Sequence, residues 1–273
     1  MYEAVTLFAT ALIIGVIGNL VGIGGGVLLM IILLFVFKIS PVIASGLSLA
    51  TILVSAMVGS VSNMKQKAIN KGLFYTIAVF AGIGIFLGSV FAYFISTKPF
   101  ELLFGFVSIG IGLFSLLATR RDRRRLTNMD MSFSAFSASE KEYIKNSTGN
   151  RKGINAISVI AGFVAGFFGI GIGGIVGTFL TAIKKMNPKV AFSTVLAAMI
   201  ITSVLGSALH LLSIKAGSDM LEFLAALALG AAAGAYAGSY ASSRIKSARL
   251  RFLQGYIIIS IGIAALVLAL LEA

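Results

Sequence analysis

The apolar positions of this chain run in long blocks, not in the alternation of a half-buried strand or the stripe of a surface helix. Ten blocks stand out: 4–22, 26–37, 42–63, 72–96 and 99–118, then 153–171, 174–183, 190–212, 222–242 and 252–271. Most are long enough to cross a hydrocarbon core of about 30 Å, which takes about 20 helical residues. The short alternating segments of a membrane barrel are not the pattern here. The blocks predict an all-α polytopic membrane protein. The first of them, in MYEAVTLFATALIIG, has no Lys or Arg ahead of it, so it reads as a membrane segment rather than a cleaved signal peptide.

Two blocks are short, and each follows a glycine cluster. GNLVGIGGG (18–26) precedes 27–37, and GFFGIGIGG (166–174) precedes the still shorter 175–183. As a helix, 27–37 would reach about 17 Å, well short of the membrane. Glycine weakens a helix by about 1 kcal/mol relative to alanine, so each cluster predicts a break: a re-entrant or short-helix hairpin turning near mid-membrane. Gly15/Gly18/Gly22, Gly84/Gly88 and Gly230/Gly234/Gly238 have the spacing of helix-packing faces. The consecutive Gly24-Gly25-Gly26 does not. Irregular backbone at membrane depth is tolerated only when buried in protein or lining a cavity.

The two clusters are copies. Residues 15–64 align with 162–211 without a gap, with 13 identities in 50, among them Lys38 with Lys185 and Pro41 with Pro188. Further on, a displacement of 150 matches Gly84, Gly88, Gly105 and Gly112 to Gly234, Gly238, Gly255 and Gly262. The chain is a duplication, with a first repeat in 1–118, a basic linker in 119–152 and a second repeat in 153–273.

Charge adds orientation. With the N-terminus outside and each block reversing the chain, the inside loops carry 19 of the 22 Lys and Arg, including Arg251; only Lys38, Lys98 and Lys215 fall outside. The positive-inside rule therefore favours five segments per repeat. Five is odd, so the expectation is two inverted repeats, both termini outside and the linker cytoplasmic in a cell-membrane protein. Inverted repeats point to alternating access. The net charge of +13 would suggest nucleic acid in a soluble protein, but here it lies between membrane segments and reads as topological anchoring and contact with anionic lipid.

With no Cys, disulfides, thiolate metal sites and cysteine nucleophiles are excluded; there is one His, and the acidic residues, Glu101 among them, fall at block ends or in the linker. No enzyme, cofactor or metal is expected. What remains suits an anion: glycine turns that bring a ligand close to backbone N–H groups, each followed by the positive end of a helix dipole. The candidate site is Gly22, Gly24, Gly25 and Gly26 with Gly169, Gly171, Gly173 and Gly174, joined by Asn19 just ahead of the first turn. Ser45, Ser48, Thr51 and Ser55 share one helical face, and Ser193, Thr194 and Thr202 lie in the matching segment. Such hydroxyls either coordinate the anion or bond to helix backbone and glue helices together. Asn63 and His210 occupy equivalent positions near helix ends and are candidate gates, with an interfacial structural role as the alternative for His210.

These motifs, each followed by a proline-led helix (SPVIASGLSLATILVSAMVGS and NPKVAFSTVLAAMIITSVLGS), make the chain resemble the sulfite exporter TauE/SafE family of membrane permeases over nearly its whole length. The family often has a proline where this chain has Ile31 and Thr178. The resemblance implies transport of sulfite, sulfonates or other sulfur-containing or organic anions. An anion channel of the same architecture and a non-transporting membrane scaffold are the alternatives.

Overall fold

The computed structural model describes residues 2–65, 69–121, 151–211, 218–242, 245 and 247–271. Within them the ten apolar blocks appear as ten α-helices: α1 (Tyr2–Val21), α2 (Gly26–Ile31), α3 (Pro41–Lys65), α4 (Lys71–Ala92) and α5 (Thr97–Arg121), then α6 (Arg151–Phe168), α7 (Gly173–Ala182), α8 (Pro188–Leu211), α9 (Ser218–Ser242) and α10 (Ser247–Leu271). A π-helical turn, Ile32–Val36, prolongs α2. Six helices, α3, α4, α5, α8, α9 and α10, are long and apolar enough to cross a membrane by length and composition. The linker lies mostly outside the described residues, as does the side chain of Asn63.

The chain breaks where its local chemistry demands. Pro41 and Pro188 open α3 and α8, at the helix position where proline's missing N–H is no loss. Ahead of them, Lys38 (φ 52°) and Lys185 (φ 57°) are left-handed, the only non-glycine residues so placed among those described. In each case the residue after the lysine closes the helix end: Ile39 N–H donates to Leu33 O (2.9 Å) and Met186 N–H to Leu180 O (3.0 Å). The two sequence-matched places thus share one backbone conformation.

Packing crosses between the halves. The main pairs are α1 with α9, α4 with α6, α5 with α10 and α3 with α8. Exchanging the halves turns the first two pairs into each other and the last two into themselves. Gly84 and Gly88 of α4 press on Val159 and Phe163 of α6, and Gly230, Gly234 and Gly238 of α9 on Phe8, Leu12 and Val16 of α1, in the same order along each chain, so these pairs run parallel. Gly105 and Gly112 of α5 meet Leu266 and Ile259 of α10 in reverse order, and Gly46 and Gly59 of α3 meet Leu211 and Leu196 of α8 likewise, so these equivalent helices run antiparallel. Small residues allow this close approach, as in other membrane bundles. Outward faces carry large apolar side chains such as Phe106, Leu117 and Tyr236, which suits contact with lipid.

Candidate functional site

The glycine turns have one geometry. Gly22 (φ 81°) and Gly24 (φ 81°) in the first match Gly169 (φ 67°) and Gly171 (φ 74°) in the second, position for position. Any L-residue in this left-handed conformation costs roughly 1–2 kcal/mol, which is why glycine stands there. Gly25 (φ 84°) is the exception, because its equivalent Ile172 is right-handed (φ −85°). Gly18 is not a packing glycine of the α1–α9 seam: a Cβ on it would run into Gly25, so its bareness lets α2 fold back on α1. Ile23 and Gly24 N–H both donate to Gly18 O, at 2.9 and 3.2 Å, which closes the end of α1.

The two turns meet inside the protein. A Cβ on Gly26 would stand 2.9 Å from Gly169 O, and one on Gly173 3.0 Å from Gly22 O. The start of each short helix therefore lies against the other turn. Within these helices the first N–H groups with a backbone acceptor are those of Leu29 (to Gly25 O, 3.0 Å) and Val176 (to Ile172 O, 3.0 Å). No acceptor is found among the described residues for the N–H groups of Gly26, Val27 and Leu28, or of Gly173, Gly174 and Ile175. These are the orphan donors of a helix start, at the positive end of its dipole.

What fills the space between the turns is apolar. The Met199 Cε lies 2.8 Å from the Cβ positions of both Gly24 and Gly171, and Ile52 lies beside both. Ile52 and Met199 are equivalent in the duplication, and both are fully buried. A search for polar site residues passes over them; only their shared place in the 147-residue displacement marks them.

The hydroxyls divide. Ser48 Oγ donates to Gly169 O at 2.6 Å and lies 3.4 Å from Gly26 O, and Ser45 Oγ donates to Phe167 O at 3.3 Å. Their protons are aimed at carbonyls, so they brace the second turn from α3. Thr51 and Thr202 bond to their own helices, at Leu47 O (2.8 Å) and at Ala198 and Met199 O (both 3.3 Å). Thr194 is not at the turns: its Oγ1 accepts from Asn70 N–H (3.0 Å) and holds the start of α4. Ser193 is buried, and Ser55 is buried with its hydroxyl unpartnered.

Asn19 donates its Nδ2 to Gly15 O (3.1 Å), and its buried, unpartnered Oδ1 lies 3.0 Å from where a Cβ on Gly59 would stand. His210 is fully buried with Nε2 2.7 Å from Gly166 O, stacks on Tyr93, and so ties the end of α8 to the approach of the second turn. Two charges sit differently from the expectation. Glu101 and Arg251 are buried one turn into α5 and α10, at equivalent positions with opposite sign. Arg251 is a helix residue, not a loop anchor, with its guanidinium carbon 6.0 Å over the Phe192 ring. One turn on, Gln254 is fully buried with neither amide atom hydrogen-bonded. A lone Gln in an apolar block was the available signal for it.

Comparison with known proteins points to one family. The profile of the family described as "Sulfite exporter TauE/SafE" matches residues 7–265. The chain is 27% identical over 218 residues to the probable membrane transporter protein YunE of Bacillus subtilis (strain 168), covering 77% of this chain and 78% of that one. It is also 27% identical over 206 residues to the probable membrane transporter protein MJ0441 of Methanocaldococcus jannaschii, covering 73% and 69%. No solved structure matches the chain. With six helices fit to cross a membrane and the family profile running through nearly all of it, the chain belongs to the sulfite exporter TauE/SafE family and is a multi-pass membrane transporter.

Proposed function

We propose that this protein is a secondary transporter of small anions, namely sulfite, sulfonates or related sulfur-containing or organic anions, working by alternating access. The observation that carries the reading is the meeting of two left-handed glycine turns in the interior, each leading into helix N–H groups that lack an acceptor. Donors with no acceptor, aligned with a helix dipole and away from water, favour negative charge. The moving parts are two inverted repeats of five segments, 1–118 and 153–273. The antiparallel contact of α3 with α8 and of α5 with α10 supports the inversion, because equivalent helices related by an axis in the membrane plane must run in opposite directions. Both termini then face outside, and the linker and the other basic loops face the cytoplasm, where they contact anionic lipid.

The glycine turns form the centre of the site, and Ser45 and Ser48 hold one of them in shape. Asn19 and His210 act on the chain just ahead of the turns, Asn19 at the end of α1 and His210 through Gly166. Ile52 and Met199 fill the seam between the turns, which favours a carrier that opens and closes over a standing pore. A scaffold has no need to break two helices at the same buried point. The test is uptake into proteoliposomes of labelled sulfite in competition with sulfate, sulfonates, carboxylates and cationic solutes, with counterflow to separate carrier from channel. Saturable sulfite uptake with counterflow is expected. Saturable uptake of a cation that no anion inhibits would overturn the reading.

A further inference from the structure

Helix α10 carries a polar face that the glycine turns do not account for. Gln254 is fully buried and unpartnered at both amide atoms. A buried amide without partners is rare enough to require a reason. Its Nε2 lies 3.5 Å from the point where a Cβ on Gly174 would stand, so the NH2 group faces the first turn of α7. Here the N–H groups of Gly173, Gly174 and Ile175 lack acceptors. Thr178, one turn further along α7, is fully buried with its hydroxyl unpartnered. Arg251 is buried one turn before Gln254 and sits over Phe192, whose ring packs on Gly177 of α7. Helix N–H groups, an amide NH2 and a hydroxyl thus line one short stretch of α7, and the Arg251 guanidinium lies over the ring packed on it.

The related place in the first half is different. The duplication carries Gly174, Thr178 and Gln254 onto Val27, Ile31 and Phe104, and Arg251 onto Glu101. An aliphatic side chain and an aromatic ring replace the Thr178 hydroxyl and the Gln254 amide, and an acid replaces the cation. The polar side chains gathered at the start of α7 therefore have no counterparts at the matching positions of the first half.

We infer that the oxyanion head of the transported solute binds at the N-terminus of α7, one ion per chain. It is held by the N–H groups of Gly173, Gly174 and Ile175, the Gln254 amide and the Thr178 hydroxyl, with Arg251 supplying opposite charge. The seam between the turns, filled by Ile52 and Met199, is then a barrier beside the ion. This assignment rests on the anion-transport reading above.

The experiment uses the full-length protein in detergent, titrated by calorimetry with sodium sulfite, methanesulfonate and acetate, and then reconstituted for labelled-sulfite uptake. One anion is expected per chain. Gln254→Leu should raise Kd and KM by roughly tenfold to a hundredfold, the loss of a hydrogen bond to a charged group. Its thermal midpoint without anion should equal or exceed the wild type, because an apolar chain replaces an unpaired amide, while the anion-induced rise disappears. Thr178→Val, nearly the same shape, gives a second reading of KM should Gln254→Leu not insert. If the wild type transports sulfite while Gln254→Leu destabilises the apo protein, and both variants keep KM within about twofold, the inference is overturned and the transport reading stands. If the wild type neither binds nor transports any of the three anions, the transport reading falls and this inference with it.

Discussion

Ser48 offers the sharpest test of how the second turn is held. Its hydroxyl donates to Gly169 O at 2.6 Å inside the bundle, from a residue with no exposed surface. Ser48→Ala leaves that carbonyl without its donor. An unsatisfied buried acceptor costs about 1–3 kcal/mol. For a chain of this size, each kcal/mol lowers the midpoint by roughly 2–3 °C, so the variant should melt about 2–9 °C below the wild type. The second contact, 3.4 Å to Gly26 O, is too long to compensate. Because the proton already points at a carbonyl, the substrate affinity should change less than about threefold, or about 0.6 kcal/mol. Thr51→Val is the control: Thr51 Oγ1 bonds only to its own helix at Leu47 O, and its loss should move the midpoint by less than about 0.5 kcal/mol in equivalent terms. The assay is thermal denaturation in detergent alongside the KM for sulfite uptake in proteoliposomes. An unchanged midpoint in Ser48→Ala with a tenfold rise in KM would refute the reasoning and make the hydroxyl a ligand.

Gly173→Leu and Gly25→Leu should both abolish uptake while the protein still reaches the membrane, since a side chain at Gly173 meets Gly22 O and one at Gly25 (φ 84°) meets Ile14; unchanged uptake by both, measured against surface expression, would show that these glycines only pack. Truncating the seam by Met199→Ala together with Ile52→Ala should cost about 2–5 kcal/mol per side chain and raise passive anion leak across proteoliposomes, and a leak no larger than wild type would show that these side chains are not the barrier. A single cysteine introduced as Ala135→Cys should resist an impermeant thiol reagent in intact cells and react after permeabilisation; labelling in intact cells would defeat the proposed orientation.

Much of the fold was legible in the chain. The ten blocks became ten helices because a segment in lipid must satisfy its own backbone, which makes hydropathy a direct readout of helix position. The turns were legible too, since left-handed backbone at 22, 24, 169 and 171 falls on glycine, and the helix starts at 41 and 188 fall on proline. The site was legible only in part. The serine spacing put Ser45 and Ser48 on one face, but it could not say what that face meets, which in the fold is carbonyl oxygen of the second turn.

The sequence by itself determined the membrane environment, the helical class and the two break points, because each depends on residues adjacent along the chain. The tertiary structure alone decided what surrounds those breaks. Ser48 reaches a carbonyl 121 residues away, Met199 sits between glycines from both halves, and Gln254 faces a helix start 80 residues earlier. Arg251 shows the reason most clearly. In the sequence it is one of a run of basic residues and counts as a loop charge; in the fold it is a buried cation on a packed helix. Periodicity tells which way a side chain points from its own helix axis. Its neighbour is set by how two halves of the chain dock, and that is a property of no single segment.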